Sequence, residues 1–286
     1  MYLLNLVAGF ILLLFSCNNS TKENTGDNIP SESSVVITPT GEKLMKRIAP
    51  PSGFSWETAS PNSFAEFLQN LPLAPAGSPI LDYSGNQISN QSEHIAIINY
   101  DVGNKDLQQC ADATIRLRAE YLFKQQRYDE IGFHFTSGDF FKWTDYADGM
   151  RPIINGNTVS FSKIAAADNS YSAFRKYLDV VYNYAGTISV NRETEKVTSN
   201  DDISSGDIII TPGSPGHAVM IVGVAVNKNK EKLYLLAESY MPAQSIHVLT
   251  NPFEAGVSPW YHLDLNNGSI ETARYTFSVA NIKRFK

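Results

Sequence analysis

The chain has 286 residues, of which 43% are hydrophobic and 11% aromatic, and it carries a formal net charge of −6 at pH 7. This length and apolar content are sufficient for one principal globular domain with a sizeable core. The sequence contains no block rich in lysine and arginine, and because nucleic acids are bound through clustered positive charge, a nucleic-acid partner is not expected. A neutral or amphipathic substrate fits the composition better.

The chain begins with an apolar stretch from Leu3 to Phe15. A stretch of this length is typical of the central region of an export signal and is too short to cross a bilayer comfortably. Ser16 followed by Cys17 resembles the lipobox of bacterial lipoproteins, which implies a signal peptide at 1–16 and lipid on Cys17. An ordinary buried or anchoring helix is the alternative interpretation of the same residues.

Residues 17–45 are predicted to form a flexible tether, because the segment after Cys17 is polar and cannot bury apolar surface. Acyl chains on Cys17 would hold the protein at a membrane, since each buried methylene contributes about 0.8 kcal/mol. We therefore expect an exported protein that is lipid-anchored to a bacterial membrane, in the periplasm or at the cell surface. The leaflet stays open, and residues 46–286 are predicted to form a single domain.

The first half of that domain carries helical patterns and one strand. Ser63 precedes apolar residues at spacings of three and four, which predicts a short helix ending near Pro72. The isoleucine-rich segment 94–102 predicts a strand. Asp106 is the expected N-cap of a long helix that has Cys110 in its first turn. One apolar stripe of this helix consists of Ala111, Ile115, Ala119 and Leu122.

The second half changes from helix to strands. The segment SYSAFRKYLDVVYNYAGT predicts a helix, and apolar runs at 208–210, 218–226 and 233–237 with turns between them predict an antiparallel meander. Helices followed by a sheet indicate an α+β domain. Between the long helix and this second one lies an aromatic and acidic segment, which either lines a cleft or is a loop packed by its own aromatic side chains.

Cys110 is the first candidate functional residue. If Cys17 carries lipid, Cys110 has no partner cysteine in an exported protein. A free cysteine is often only a small buried hydrophobic residue. At a helix N-terminus, however, unpaired N–H groups and the helix dipole stabilise a thiolate, and a histidine partner adds to this effect.

His217 and Glu238 are the candidate partners of Cys110. His217 follows the turn GSPG and opens the strand AVMIV, so its backbone is fixed by strand pairing, whereas an isolated histidine is more often a packing residue. Glu238 ends the next strand, LYLLAE, and is the strong acceptor available to orient an imidazolium. Taken alone, Glu238 is more simply interpreted as a solvated carboxylate at a strand end.

The motifs HAVMIVGV and LYLLAESYM resemble the histidine strand and the following strand of papain-like cysteine peptidases. GDIII followed by a turn and HAVMIVG is similar to the corresponding segment of bacterial NlpC-type and CHAP amidases, which cleave cell-wall peptides. The resemblance implies a papain-like domain in which a cysteine-bearing helix packs on the antiparallel sheet that carries the histidine. It implies Cys110 as nucleophile, His217 as base and Glu238 in place of the usual asparagine.

Further residues are candidates for this site. The Cys110 backbone N–H is an expected oxyanion donor, and Asn104 and Gln109 are candidates for a second, while Gln244 is a reserve candidate for holding His217. The candidate substrate-binding residues are Trp143, Asp145, Tyr146, Asp148, Arg151 and Tyr240.

Over most of the mature chain, the motifs QQCADATIRLRAEYLF, YADGMRP, GSPGHAVM and SYMPAQ resemble a group of bacterial lipoproteins, the domain of unknown function 4846 family, which implies no particular activity. The leading hypothesis is therefore a thiol amidase or peptidase without cofactor, acting on peptidoglycan peptides. A binding or structural lipoprotein that keeps a papain-like shell without catalysis is the main alternative. A metal site formed by Cys110, His217 and Glu238 is a third, disfavoured because no closely spaced ligand pair occurs.

Overall fold

The computed structural model describes residues 35–286, all of which belong to one compact unit. The predicted signal peptide, the predicted lipidation site Cys17 and the first half of the predicted tether lie outside the described residues. The rest of that tether packs on the domain, because Ile37 forms a β-bridge with Ile48 and Leu44 is fully buried. The packed chain therefore begins before residue 46.

Helices are concentrated in the first two thirds of the described chain. They are α1 (Leu44–Arg47), α2 (Phe64–Gln69), α3 (Cys110–Lys124), α4 (Trp143–Ala147), α5 (Tyr171–Tyr184) and α6 (Thr187–Glu193). Single turns of 3₁₀ helix cover Tyr128–Glu130, Asn200–Asp202 and Val279–Asn281. Within residues 35–286, none of the helices combines the length and the apolar character that crossing a bilayer requires.

Most strands are short, and the longest run through the centre of the domain. They are β1 (Phe54–Trp56), β2 (His94–Ile97), β3 (Gly132–His134), β4 (Phe140–Lys142), β5 (Met150–Asn155), β6 (Thr158–Lys163), β7 (Thr194–Lys196), β8 (Ile208–Thr211), β9 (His217–Asn227), β10 (Lys232–Glu238), β11 (His247–Leu249), β12 (Ser269–Glu271), β13 (Thr276–Ser278) and β14 (Ile282–Phe285).

One antiparallel sheet dominates the fold, with the strand order β2-β11-β10-β9-β8-β14-β7 and with β1 also paired to β9. Its centre is the meander β8-β9-β10. The prediction of helices combined with an antiparallel meander is confirmed at this level. The pairs β3-β4, β5-β6 and β12-β13 form separate two-stranded sheets.

Strand β9 is buried on both faces. Successive side chains of a strand point to opposite faces, and Ala218 and Met220 join one hydrophobic cluster while Val219 and Ile221 join another. Helix α3 contributes Ile115 and its neighbours to the first cluster, and the β12-β13 hairpin contributes to the second. This double burial explains why β9 is an unbroken apolar run and does not alternate with polar residues.

The long helix begins at Cys110, three residues later than an Asp106 cap would place it. Gln109 is the N-cap, and its backbone N–H donates to Asp112 Oδ2 at 3.1 Å. Asp106 instead accepts a hydrogen bond from the Ala243 N–H at 2.7 Å. The prediction of Asp106 as N-cap was therefore wrong, because this carboxylate ties the preceding loop to the segment after β10.

Candidate active site

Cys110 is the first residue of α3 and is half-buried. The loop before it is fixed to the end of β10, because Ser239 Oγ donates to the Gln108 carbonyl oxygen at 3.0 Å. The Gln109 side chain donates to Asp106 Oδ1 at 3.1 Å, which closes the same loop. The start of α3 is thus held beside the strand end that carries Glu238.

His217 is the first residue of β9, where it pairs with Thr211 of β8. The turn before it needs glycine at position 216, because a Cβ there would lie 2.6 Å from the Gly213 carbonyl oxygen and 2.7 Å from that of Thr211. The GSPG motif therefore allows the chain to turn tightly and place an imidazole at the very beginning of the strand.

His217 and Glu238 form a buried pair. His217 Nε2 lies 2.7 Å from Glu238 Oε2, and the two side chains are 3% and 0% exposed. Since Nε2 is occupied by the carboxylate, Nδ1 is the ring nitrogen left for Cys110, which interacts with the same ring. The structure thus brings together the three residues that the sequence pattern selected.

The pair is charged at neutral pH. Burial alone lowers the pKa of His217, but the neighbouring Cys110 and Glu238 side chains outweigh it and raise this pKa to about 9. Burial likewise raises the pKa of Glu238, but the proximity of His217 and His247 outweighs it and lowers this pKa to about 2. An imidazolium next to a thiol is the arrangement that stabilises a thiolate.

Three aromatic rings enclose the His217 imidazole. Tyr240 lies edge-on with 5.1 Å between ring centres, Tyr275 lies at 5.2 Å, and Phe277 is stacked at 5.7 Å. Both Tyr275, in the turn between β12 and β13, and Phe277, in β13, come from a hairpin far along the chain. The rings hold the imidazole in place and exclude water from one side of the His217–Glu238 pair.

The second carboxylate oxygen of Glu238 faces a different set of groups. His247, its cross-strand partner on β11, is fully buried and has Nε2 at 3.6 Å from Glu238 Oε1. Arg274 Nε lies 4.0 Å from the same oxygen and is paired with Glu93. Glu238 therefore lies between two imidazoles.

A groove of about 240 Å³ opens beside Cys110. Its walls are the start of α3, the first residues of α6 and the turn at 213–216. Asp106 and Asp112 are the acidic residues among those that line it, and none of its lining residues is lysine, arginine or histidine. The exposed side chain of Met241 forms part of the rim.

The predicted oxyanion and reserve residues take different positions. Asn104 is exposed and lines a separate groove of about 670 Å³. The Gln109 backbone N–H is taken by Asp112. Gln244 is buried and its carbonyl accepts from Ser239 Oγ at 2.8 Å. The group that bonds to His217 is Glu238, so Gln244 is not needed to hold the ring.

Most of the predicted substrate-binding residues lie away from this groove. Trp143 and Tyr146 are buried against Tyr177, and the Arg151 guanidinium lies 3.6 Å from the Tyr146 ring centre. Asp145 and Asp148 are exposed. None of these five residues lines the groove at Cys110, so their role in binding stays a prediction. Tyr240 is the exception in placement, since it contacts the His217 ring.

A family model described as a domain of unknown function (4846) matches residues 44–284. The chain belongs to this family. The matched range begins at the first residue of α1 and ends within β14, so Cys110, His217 and Glu238 all lie in the 4846 domain. No curated protein and no solved structure matches the chain.

Sequence reasoning missed three residues of the site in the 4846 domain: His247, Tyr275 and Phe277. The strand that carries His247 could have been predicted, because SIHVLT is a short β-rich run directly after the predicted meander. Tyr275 and Phe277 carried no such signal, since their contacts with His217 are made only in the folded chain. Among residues 35–286, no group of three or more His, Cys, Asp and Glu side chains is arranged to hold a metal ion.

Proposed function

We propose that this protein is an exported thiol hydrolase that cleaves amide bonds, with Cys110 as nucleophile, His217 as general base and acid, and Glu238 as the orienting carboxylate. The observation that carries the proposal is the buried 2.7 Å contact between His217 and Glu238, with Cys110 next to the same ring at the start of a helix. Nucleophile, base and orienting group in hydrogen-bonded sequence are the signature of covalent catalysis.

The reaction follows from the charge state of the pair. His217 takes the thiol proton of Cys110, and the sulfur attacks the amide carbonyl carbon to form a C–S bond. His217 then gives its proton to the amide nitrogen as the C–N bond breaks and the amine leaves. Water attacks the resulting thioester while His217 accepts a water proton. The C–S bond then breaks to release the acid product, and that proton restores the starting Cys110–His217 pair.

The oxyanion formed in each step needs hydrogen-bond donors. The first N–H groups of α3 have no carbonyl partner within the helix, so the Cys110 N–H is available to the developing negative charge. The Gln109 N–H already donates to Asp112. This assigns the main-chain donor to Cys110 and not to its neighbour.

The groove beside Cys110 suits a peptide substrate. Small residues such as Gly186 and Gly213 form its walls, and its lining includes Asp106 but no base. Burial raises the pKa of the other lining acid, Asp112, to about 8, so that acid is mostly uncharged at pH 7. The absence of basic lining residues favours a neutral or amine-bearing chain over an anionic one. For a lipid-anchored protein outside the cytoplasm, as proposed from Cys17, cell-wall peptides meet this description. The cysteine at the start of a helix and the histidine at the start of a central strand also support a papain-like arrangement.

The test uses the purified full-length protein with peptidoglycan-derived peptides and separates the products by mass spectrometry. We expect cleavage at one type of amide bond by the wild type and no cleavage by Cys110→Ala, with circular dichroism confirming that the variant is folded. Turnover by Cys110→Ala at the wild-type rate would overturn the mechanism.

A second measurement distinguishes the hydrolase from a non-catalytic binding lipoprotein. The rate of alkylation of Cys110 by iodoacetamide at pH 6–7 is followed by peptide mapping, so that Cys17 is scored separately. An activated thiolate reacts faster than a free model thiol at this pH. A Cys110 that reacts no faster, together with no cleavage, would favour the binding protein.

A further inference from the structure

His247 occupies a fixed position next to Glu238. It is the first residue of β11, lies directly across from Glu238 in the register of β10 and β11, and is completely buried. On its other side β11 pairs with β2, which brings the His94 ring to 6.1 Å from the His247 ring. The position of the imidazole is therefore set by backbone pairing on both sides.

The hydrogen bonds of His247 assign its protons. Nδ1 lies 2.9 Å from the Ser245 carbonyl oxygen. A carbonyl oxygen only accepts, so Nδ1 carries a hydrogen. In a neutral imidazole Nε2 would then be a bare acceptor, and it faces Glu238 Oε1, another acceptor, at 3.6 Å.

Neither of these two atoms has a hydrogen-bond partner within residues 35–286, and both are buried. Two buried unsatisfied acceptors that face each other cost free energy through lost hydration and through repulsion. A proton on Nε2 converts the repulsion into an ion-pair attraction across the 3.6 Å between the two atoms. The other oxygen, Glu238 Oε2, is already bonded to His217.

Among the surrounding cations, Arg274 Nε lies farther from Glu238 Oε1 than His247 Nε2 does, at 4.0 Å against 3.6 Å. Arg274 is ion-paired with Glu93. His94 is bonded through Nε2 to the Ser78 carbonyl oxygen at 3.0 Å, and burial, with smaller contributions from His247 and Arg274, lowers the pKa of His94. His94 is therefore neutral at pH 7, and His247 is the imidazole that neutralises Glu238 from the second side.

We propose that His247 is a positioning residue that shares a proton with Glu238 and so keeps this carboxylate ionised and aligned with His217. The consequence for catalysis rests on the proposed function, whereas the shared proton is a property of the resting protein. His247 contacts neither Cys110 nor the groove, so it acts only through Glu238.

Nitrogen NMR of the full-length protein labelled with ¹⁵N-histidine tests the shared proton directly. We expect the His247 ring, assigned by its loss in His247→Gln, to show two protonated nitrogens at pH 7, while the His94 ring shows one. A His247 ring with a single protonated nitrogen at pH 7 would overturn the proposal.

The pH dependence of Cys110 alkylation tests the positioning role without needing a substrate. We expect His247→Leu to move the acid limb of the alkylation profile upwards by about one pH unit, which is a roughly tenfold slower reaction at pH 6. His247→Gln, which can still donate to Glu238, should produce a smaller shift and serves if the leucine variant does not fold. His94→Gln is the matched control and should leave the limb in place.

An unmoved acid limb in both His247 variants would overturn the positioning role. The two proposals fail separately. A doubly protonated His247 with no peptide cleavage would remove the hydrolase proposal and keep the shared proton, whereas cleavage with a singly protonated His247 would do the reverse.

Discussion

The His217–Glu238 pair and the His134–Glu193 pair consist of the same two side-chain types, yet their pKa values shift in opposite directions. In the first pair the pKa of His217 is raised to about 9 and the pKa of Glu238 is lowered to about 2. In the second, burial together with nearby Arg192 and Lys286 lowers the pKa of His134, and burial raises that of Glu193 to about 7. One pair is ionic at neutral pH and the other is close to neutral.

The difference lies in the other neighbours of each carboxylate. Glu238 has one imidazole near each carboxylate oxygen: His217 at 2.7 Å and His247 at 3.6 Å. In Glu193 a single oxygen, Oε1, contacts both the backbone N–H of His134 and its Nδ1, the latter at 3.1 Å. The His134 side chain is also 40% exposed, so water weakens its interaction. A histidine next to a glutamate is therefore not by itself a sign of an activated base; the full set of groups around the carboxylate decides its charge.

The largest expected effect comes from removing the charge of Glu238. Glu238→Gln keeps an acceptor for His217 but cannot stabilise the imidazolium, so peptide cleavage should fall by about 10²-fold or more. The measurement is kcat on a cleaved cell-wall peptide, with Glu193→Gln as the matched control in the other pair. Cleavage by Glu238→Gln within twofold of the wild type would contradict the assigned role.

The second-largest effect is expected in the pH dependence of stability, which should differ between the two pairs. Glu238, with its pKa lowered from 4.5 to about 2, stabilises the fold above pH 4.5 and loses this contribution as the pH falls through 2. His217, with its pKa raised from 6.5 to about 9, stabilises the fold below pH 6.5 and loses this contribution as the pH rises through 9.

The free energy of unfolding of the wild type minus that of the double variant His217→Gln/Glu238→Gln should therefore be greatest between about pH 4.5 and 6.5. Urea unfolding at a series of pH values from 3 to 10 measures it. A difference that keeps rising from pH 6.5 to pH 9 would show that the pair is not ionic in the folded protein.

The smallest change in stability is expected for Glu193→Gln, and this change is a gain and not a loss. Its pKa is raised from 4.5 to about 7, so the folded state becomes less stable relative to the unfolded state as the pH rises through this range. Glu193→Gln removes that cost while its side-chain oxygen still accepts from His134. We expect a gain of about 1–3 kcal/mol at pH 8 and almost none at pH 4, measured by urea unfolding. A loss of stability at pH 8 would mean that Glu193 is favourably ionised.

The sequence was informative where the determining interactions are local. The long helix with Cys110 in its first turn followed from apolar spacing, and the proximity of Glu238 to His217 followed from two consecutive strands joined by a short turn. The boundary at Asp106 was misplaced because its hydrogen-bond partner, Ala243, is 137 residues away in the chain. Local patterns do not report such contacts.

The same limit applies to the aromatic residues. Trp143 and Tyr146 were predicted to line a cleft or to pack within their own loop, and the sequence does not show that the indole and phenol pack on the apolar face of α5. Conversely, Phe277 encloses His217 from a hairpin that no periodicity connects to β9. Which aromatic residue reaches the site is decided by tertiary packing.

Strand β9 is paired along its length by β8, β10 and β1 and is covered on both faces. Amides in such a position exchange with solvent only when the whole domain opens, so those of Ala218 to Val222 should be among the slowest to exchange deuterium. His217 is attached directly to this segment. On heating, the alignment of the imidazole should therefore persist until the domain unfolds, and the thermal loss of Cys110 reactivity should coincide with the unfolding transition and not precede it.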